Sequence, residues 1–422
     1  MSYLWKACRR EGDRYRRTRA DLDRARSNPI ANDVEPTLPR RHVFLAGGAA
    51  AFSLLGDQTL YAVLPTTYTA LGLLPYQVGL ILSVNRWIRL LTNTLAERMC
   101  RRYSLGLLFG LALTAGSATT AAYGLTSSFT VLLVMRMAWG LCWSFIRQIG
   151  LMTLSDTTPS SRLGRMTGFY NGVSRLGSVA GNALGGVLTD LLGYSATLLT
   201  FAVVSLCGVP FGALSRKGIP RRTAPVSAKM TLQARDTGLL ICGVMTGCAG
   251  PGMIMATLGM VLKSVVGESV SIGGIVVGVA TLNGILLASR WVTDGLGAPF
   301  LGAASDRMGR RRASLIYFGA GSAALLTASQ TSSAWTLVCL VLMFFVCGVG
   351  QTVVNLAEAS SRGSRTVSAY VTASDFGAAV GPMLGWITVQ AALPTDSIFL
   401  LAGGLYVVGA LASQWAMDRP AD

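Results

Sequence analysis

Charge is scarce in this chain. Only 13% of its 422 residues are charged, against about 25% in an ordinary soluble domain, while 51% are hydrophobic. That balance argues against a soluble globular enzyme, and a mean hydropathy of +0.51 points to helices that face lipid. Histidine is nearly missing as well: His42 is the only one, which removes most metal and triad chemistry. The eight cysteines contain no CxxC pair. Cys142, Cys207, Cys242, Cys248, Cys339 and Cys347 fall inside apolar runs, so they are expected to be small buried hydrophobes and not disulfides or metal ligands. A GxxxxGK[ST] element is also lacking, so nucleotide hydrolysis is not expected to supply energy. Neither a metal nor a cofactor is expected, and the few carboxylates inside apolar runs form no recognisable catalytic set.

What the chain does contain is glycine, 49 residues of it, and twelve apolar runs of about the length that a bilayer requires. They cover 43–65, 78–97, 105–124, 129–152, 166–188, 195–214, 237–262, 274–304, 314–331, 333–356, 367–390 and 397–416. The eighth is too long for one straight crossing, so a tilted, broken or extended helix is expected there. The reading is an all-α membrane protein of twelve transmembrane helices in two pseudo-symmetric six-helix bundles, 43–214 and 237–416. The polar stretch 215–236 links them, with tails at 1–42 and 417–422. The first tail has eleven Lys/Arg, six Asp/Glu and no apolar core, and reads as a polar segment and not as a cleaved signal peptide.

The formal charge of +17 would suggest a nucleic-acid partner in a soluble protein. Here its distribution matters more. Twenty-nine of the 36 Lys/Arg fall in segments on one side of the twelve-span scheme, and only Lys263 falls in a loop on the other. By the positive-inside rule both termini are expected in the cytoplasm. The other six are arginines within spans.

A repeat supports two equivalent halves. At an offset of 200 residues, Arg162, Arg165, Tyr170, Ser174, Gly177, Gly181 and Gly185 have identical counterparts in Arg362, Arg365, Tyr370, Ser374, Gly377, Gly381 and Gly385. At an offset of 209, Gly302, Asp306, Arg307, Gly309, Arg310 and Arg311 are echoed by Asn93, Glu97, Arg98, Cys100, Arg101 and Arg102. In these residues the chain resembles the major facilitator superfamily of secondary transporters, from about 43 to 416. Its GxxxDRxGRR signature stands complete at Gly302 to Arg311 and is degenerate in the first half, where Asn93 and Cys100 replace glycines. An RxxxG element matches Arg136 and Gly140. A fifth-helix GxxxGPxxGG element matches Gly177, Gly181, Gly185 and Gly186, with Asn182 replacing the proline; that element is associated with exporters. The resemblance implies rocking of two bundles around a central site. Gly302, Asp306, Arg307, Gly309, Arg310 and Arg311 are expected to act as a conformational latch, making ion pairs with neighbouring helix ends in one state and releasing them in another. Gly177, Gly181, Gly185, Gly377 and Gly381 clear helix faces for close packing.

The ionisable residues within spans are Asp57, Arg86, Arg89, Arg136, Arg147, Arg175, Arg290, Asp294 and Asp375. A charge at bilayer depth costs about 2.5 to 3.5 kcal/mol on insertion scales, so each is expected to face protein or a water-filled cavity. Asp57, Arg86, Arg89, Arg136, Arg175 and Asp375 are the candidates for substrate binding or ion coupling. Arg175 has no carboxylate nearby on its own helix and is the first choice for an anion contact. Arg147 is expected to snorkel, and Arg290 and Asp294 to neutralise each other across one turn. Asp57, with no charge close in sequence, is the candidate proton carrier. Arg89 and Asp375 lie roughly 16 and 12 Å from opposite faces of a core about 30 Å thick, hence within ~2 Å of one level, and are expected to pair between the halves, with Arg86 as substitute. The function expected is secondary active transport of a small molecule, an organic anion by the excess of arginine, coupled to an ion such as the proton, with export favoured over uptake. The expected setting is the bacterial cytoplasmic membrane, as a monomer and without nucleic acid. The competing function is a transport-dead receptor or scaffold of the same fold, against which the cost of the intramembrane charges argues.

Overall fold

The computed structural model describes residues 40–159, 162–219 and 234–417. Nearly all of the first tail, most of the linker and most of the last tail lie outside them. The described chain is almost entirely helical: α1 (Arg41–Thr67), α2 (Pro75–Arg102), α3 (Leu105–Leu125), α4 (Phe129–Thr157), α5 (Leu163–Leu192) and α6, which runs as Tyr194–Ser205 and Gly208–Arg216. Then follow α7 (Ala234–Gly247, continued by Met255–Val266), α8 (Val279–Val292, continued by Ala298–Met308), α9 (Arg310–Ala328), α10 (Ala334–Arg362), α11 (Ser364–Gln390) and α12 (Asp396–Ala416).

Two helices are broken by π turns. In α7 the turn Cys248–Ile254 contains Pro251, which has no N–H to give to the ladder, and the wider turn accommodates it. In α8 the turn Thr293–Gly297 carries Asp294 and two glycines, so the over-long eighth span is broken. That span also starts later than expected. Residues assigned to it from 274 instead form a hairpin, β1 (Ser269–Ile272) against β2 (Ile275–Gly278), antiparallel with Ser269 opposite Gly278. Gly273 and Gly274 take φ of +58° and +84°, the left-handed pair that a two-residue hairpin turn requires, and the β-branched Ile275, Val276 and Val277 favour the strand.

Seven helices, α1, α3, α4, α6, α7, α10 and α12, are long and apolar enough to cross a membrane. The molecule is an integral membrane protein, with large apolar side chains such as Leu91, Leu125, Leu191, Phe300 and Leu411 exposed on its outside. Cys207 and Cys339 belong to this outer surface; the expectation that they are buried is corrected, because an apolar run faces lipid as readily as protein. Four of the less apolar helices, α2, α5, α8 and α11, make most of the contact between α1–α6 and α7–α12, through α2 on α11 and α5 on α8, with α1 touching α7 and α8 as well. Helices α3, α6, α9 and α12 pack chiefly within their own set.

Glycine seams bring the helices to backbone contact. A Cβ at Gly177 or Gly181 would collide with the carbonyl oxygens of Ala51 or Leu55 on α1, and one at Gly185 with Thr59. In the second set, Gly377 and Gly381 meet the carbonyls of Val244 and Cys248 on α7. The 200-residue repeat is thus the repeat of one seam, α1 on α5 and α7 on α11. On α5, Gly164, Gly168 and Gly172 have nothing within 4 Å of a Cβ and lie off the seam, which continues with Gly47 of α1 against Val173 and the Tyr170 carbonyl.

Candidate functional site

Three clusters gather the intramembrane charges. The first is inside the α1–α6 set. Asp57 of α1 forms an ion pair with Arg136 of α4, whose side chain is fully buried. The other Asp57 oxygen accepts from Gln58 Nε2 at 2.8 Å, and Gln58 Oε1 accepts from Asn182 Nδ2 of α5 at 3.1 Å. Arg136 also donates to the Ile81 carbonyl at 3.3 Å and lies over the Tyr61 and Trp139 rings. Asp57 therefore does not stand alone as expected; its partner comes from 79 residues away, which no reading of sequence neighbours could show.

The second cluster joins the two sets along α2 and α11. Asp375 Oδ2 lies 3.2 Å from Arg89 Nη2 and 3.6 Å from Arg147 Nη1. Arg89 and Asp375 meet as their depths predicted. Arg147 does not snorkel away; it is a second cation on the same carboxylate. One turn along, Arg86 Nη1 donates to the carbonyls of Pro251 at 2.9 Å and Ala378 at 2.5 Å, and Ser83 donates to the Ala379 carbonyl. Arg86 thus ties α2 to the backbone of the α7 π turn.

The third cluster lies between α5 and α8. Arg175 Nε is 2.9 Å from Asp294 Oδ2, and its guanidinium sits 4.3 Å from the Trp291 ring centroid. The expected neutralisation of Asp294 by Arg290 is corrected: the carboxylate pairs with the neighbouring helix, while Arg290 stacks at 4.6 Å on the same indole. Arg175, expected to lack a carboxylate, has one from α8, and its reading as a free anion contact changes accordingly.

Further bonds join the sets at the hairpin end. Asn283 Nδ2 donates to the Ala62 carbonyl at 2.7 Å, Lys263 Nζ to the Thr66 carbonyl at 2.9 Å, and Thr281 N to Asp190 Oδ2 at 2.7 Å. Gln58, Asp190 and Asn283 were missed in the sequence, and Asn182 was noted only as the replacement of a proline, although each is a polar residue within or beside an apolar run.

A family model described as Major Facilitator Superfamily matches residues 46–294 and 280–422. The chain belongs to the major facilitator superfamily. Among similar superfamily proteins is the multidrug resistance protein MdtG of Dickeya zeae, 23% identical over 352 residues, 79% of this chain and 80% of that one. The chloramphenicol resistance protein of Streptomyces lividans is 28% identical over 321 residues, 71% and 75% of the two chains. The tetracenomycin C resistance and export protein of Streptomyces glaucescens is 27% identical over 124 residues, 29% of this chain and only 23% of that relative. In fold the chain is similar to a bacterial homologue of the lysosomal transporter Spinster in an inward-facing, occupied conformation, with a TM-score of 0.72 at 15% identity over 90% and 93% of the two chains.

The superfamily motifs acquire physical reasons here. In the RxxxG element, Arg136 makes the buried ion pair, while a Cβ at Gly140 would strike the Asn85 carbonyl at 2.6 Å, so the glycine admits α2 beside that pair. Asn182, in place of the superfamily's proline, completes the chain of polar groups to Asp57. Around the Gly302–Arg311 signature, Gly309 turns the chain at φ +83°, Arg310 pairs with Glu358 at 3.2 Å, and Arg311 Nε donates to Gln414 at 2.8 Å. Asp306 and Arg307 are exposed and make no ion pair among the described residues.

Because Asp375 serves two arginines, its loss leaves two cations facing each other, whereas loss of Arg89 leaves Arg147 in place. Asp375→Asn is therefore expected to reduce folded, membrane-inserted protein more than Arg89→Gln or Arg147→Gln. Fluorescence-detected size-exclusion of tagged variants measures this, and equal losses from all three would contradict the shared carboxylate.

Proposed function

We propose that the chain is a secondary active transporter of small organic anions, in which α1–α6 and α7–α12 are two six-helix bundles of a twelve-span protein that rock around a site between them. The observation that carries this reading is the composition of their interface. Five arginines, Arg86, Arg89, Arg147, Arg175 and Arg290, stand there against three carboxylates, the ion-paired Asp294 and Asp375 and, at the hairpin end, Asp190, and guanidinium grips carboxylate or phosphate with two parallel hydrogen bonds. Charges of one sign in excess, at a depth where each is costly, are consistent with a ligand of the opposite sign.

Bonds between the sets run from the hairpin end to the level of Asp375 and Asp294, which suits a state closed at that end and open at the other. With the termini in the cytoplasm, as the 29-to-1 distribution of Lys/Arg argues, this is an inward-facing state in the bacterial inner membrane. Two relatives are named for drug resistance and a third for resistance and export, and export is the direction we favour. Asp306 and the arginines beside it serve as the latch that forms and breaks across this cycle, and a proton gradient is the energy source we favour.

The test is flux into proteoliposomes. Saturable counterflow of organic anions is expected, with neutral analogues of the same shape ineffective. Flux of cations only would overturn the anion reading, and binding without any flux would favour a receptor. An alkaline phosphatase fusion at the C-terminus, active only outside the cytoplasm, should remain silent.

A further inference from the structure

Among the described residues Arg290, like Arg86, forms no ion pair with a carboxylate, but Arg86 is bonded to two main-chain carbonyls. Asp294 lies one turn along the same helix but gives its ion pair to Arg175 at 2.9 Å. Both guanidiniums stack on Trp291, Arg175 at 4.3 Å and Arg290 at 4.6 Å from the ring centroid. Two cations stack on one indole with a single carboxylate paired to one of them, so the cluster carries a net positive charge. Two of its donors are buried without a hydrogen-bond partner: Nη1 of Arg290 and Nε1 of Trp291. Arg290 also borders a small cavity that Thr246, Thr352 and Tyr406 help to line. Buried donors without acceptors are costly, and a buried guanidinium without an anion more so. Both costs disappear when an acceptor with a single negative charge occupies the place.

We propose that Arg290 and Trp291 form a subsite for a monoanionic group. This rests on the anion-transport reading and deepens it, because it names where the charged end of the ligand docks. The sources of such a group are the carboxylate of an organic substrate and a free inorganic anion, here represented by chloride. The Arg290 guanidinium supplies the charge and Trp291 Nε1 a second donor. Asp294 competes with the ligand for this positive charge through its ion pair with Arg175.

The experiment uses the purified full chain in detergent, with thermal unfolding followed against sodium benzoate, benzamide as its neutral analogue, and sodium chloride. Benzoate is expected to raise the midpoint saturably and benzamide to leave it unchanged. Arg290→Gln should weaken benzoate by about tenfold or more, as loss of a charge-assisted hydrogen bond implies. Trp291→Phe, which keeps an aromatic ring, should weaken it by less. Asp294→Asn releases Arg175 and should tighten it, which gives a reading independent of how well Arg290→Gln folds. If chloride alone gives an Arg290-dependent shift that benzoate cannot exceed, the group is a free inorganic anion; an Arg290-dependent shift with benzoate but not chloride assigns it to the substrate.

Unchanged benzoate affinity in both Arg290→Gln and Asp294→Asn would overturn the subsite. Flux separates this from the wider reading. Saturable anion flux with Arg290-independent binding sinks the subsite alone, whereas Arg290-dependent binding with no flux of any compound sinks transport and keeps the subsite.

Discussion

Asp57→Asn and Arg136→Gln are each expected to lower the free energy of unfolding by about 3 to 5 kcal/mol, because each leaves a charge stranded in the interior of the α1–α6 set. Exposure decides the magnitude: the Arg136 side chain is 0% exposed and that of Asp57 only 5%, so water cannot solvate the survivor. The network spreads the damage, since Gln58 donates to the same carboxylate and Asn182 in turn donates to Gln58. Replacing both partners with apolar residues of similar size, Asp57→Leu with Arg136→Met, should recover much of the loss, as no charge then remains unpaired. Unfolding of the purified variants measures the cycle. Single variants as stable as the original, with only the pH dependence of transport altered, would instead restore Asp57 to the role of a proton carrier.

Gly177→Ala is the second large effect, and here a single methyl group is enough. The new Cβ has to share space with the carbonyl oxygen of Ala51, which belongs to a helix backbone and cannot rotate away. Helices α1 and α5 must separate, breaking the contacts of Gly181 and Gly185 along the same seam; overpacking of this kind costs about 1 to 3 kcal/mol and can exceed it. Gly172→Ala, on the same helix five residues earlier, meets nothing within 4 Å and should be neutral or slightly stabilising, since alanine is the better helix former. Thermal unfolding of the two variants side by side separates packing from helix propensity. Similar midpoints for both would mean that α1 and α5 do not meet as described.

Depth within the bilayer was legible in the sequence, but rotation about the helix axis was not. An error of one residue in a helix boundary moves a side chain by about 1.5 Å along the axis but by about 100° around it. Arg89 and Asp375 could therefore be placed at one level from their distances to the helix ends. The choice of Arg175 over Arg290 as partner of Asp294 depends on which way α5 and α8 face each other, and the π turn at Thr293–Gly297 shifts that facing by a fraction of a turn. The glycine seams were visible because spacing by four residues repeats on one face whatever its direction. The Gly273–Gly274 hairpin was obscured by its own composition, as Ile275–Val277 continues the apolar run of α8 without a polar break. The Asp57–Arg136 pair needed the one fact that periodicity does not carry, which helix lies beside which.

The cross-ties between the two sets of helices have an unequal division of labour. Asn283, Lys263, Arg86 and Ser83 supply side chains, whereas Ala62, Thr66, Pro251, Ala378 and Ala379 supply only main-chain oxygens. Every amino acid carries that oxygen, so as far as the hydrogen bond is concerned, the receiving positions are free to drift among relatives while the giving positions are held. A catalogue of natural variants built on residue identity would see half of this seam as unconstrained. In evolutionary terms these four donors act on acceptors that leave no trace in the alphabet of the chain, unlike the ion pairs of Asp375 and Asp294, in which both partners are fixed by side chain.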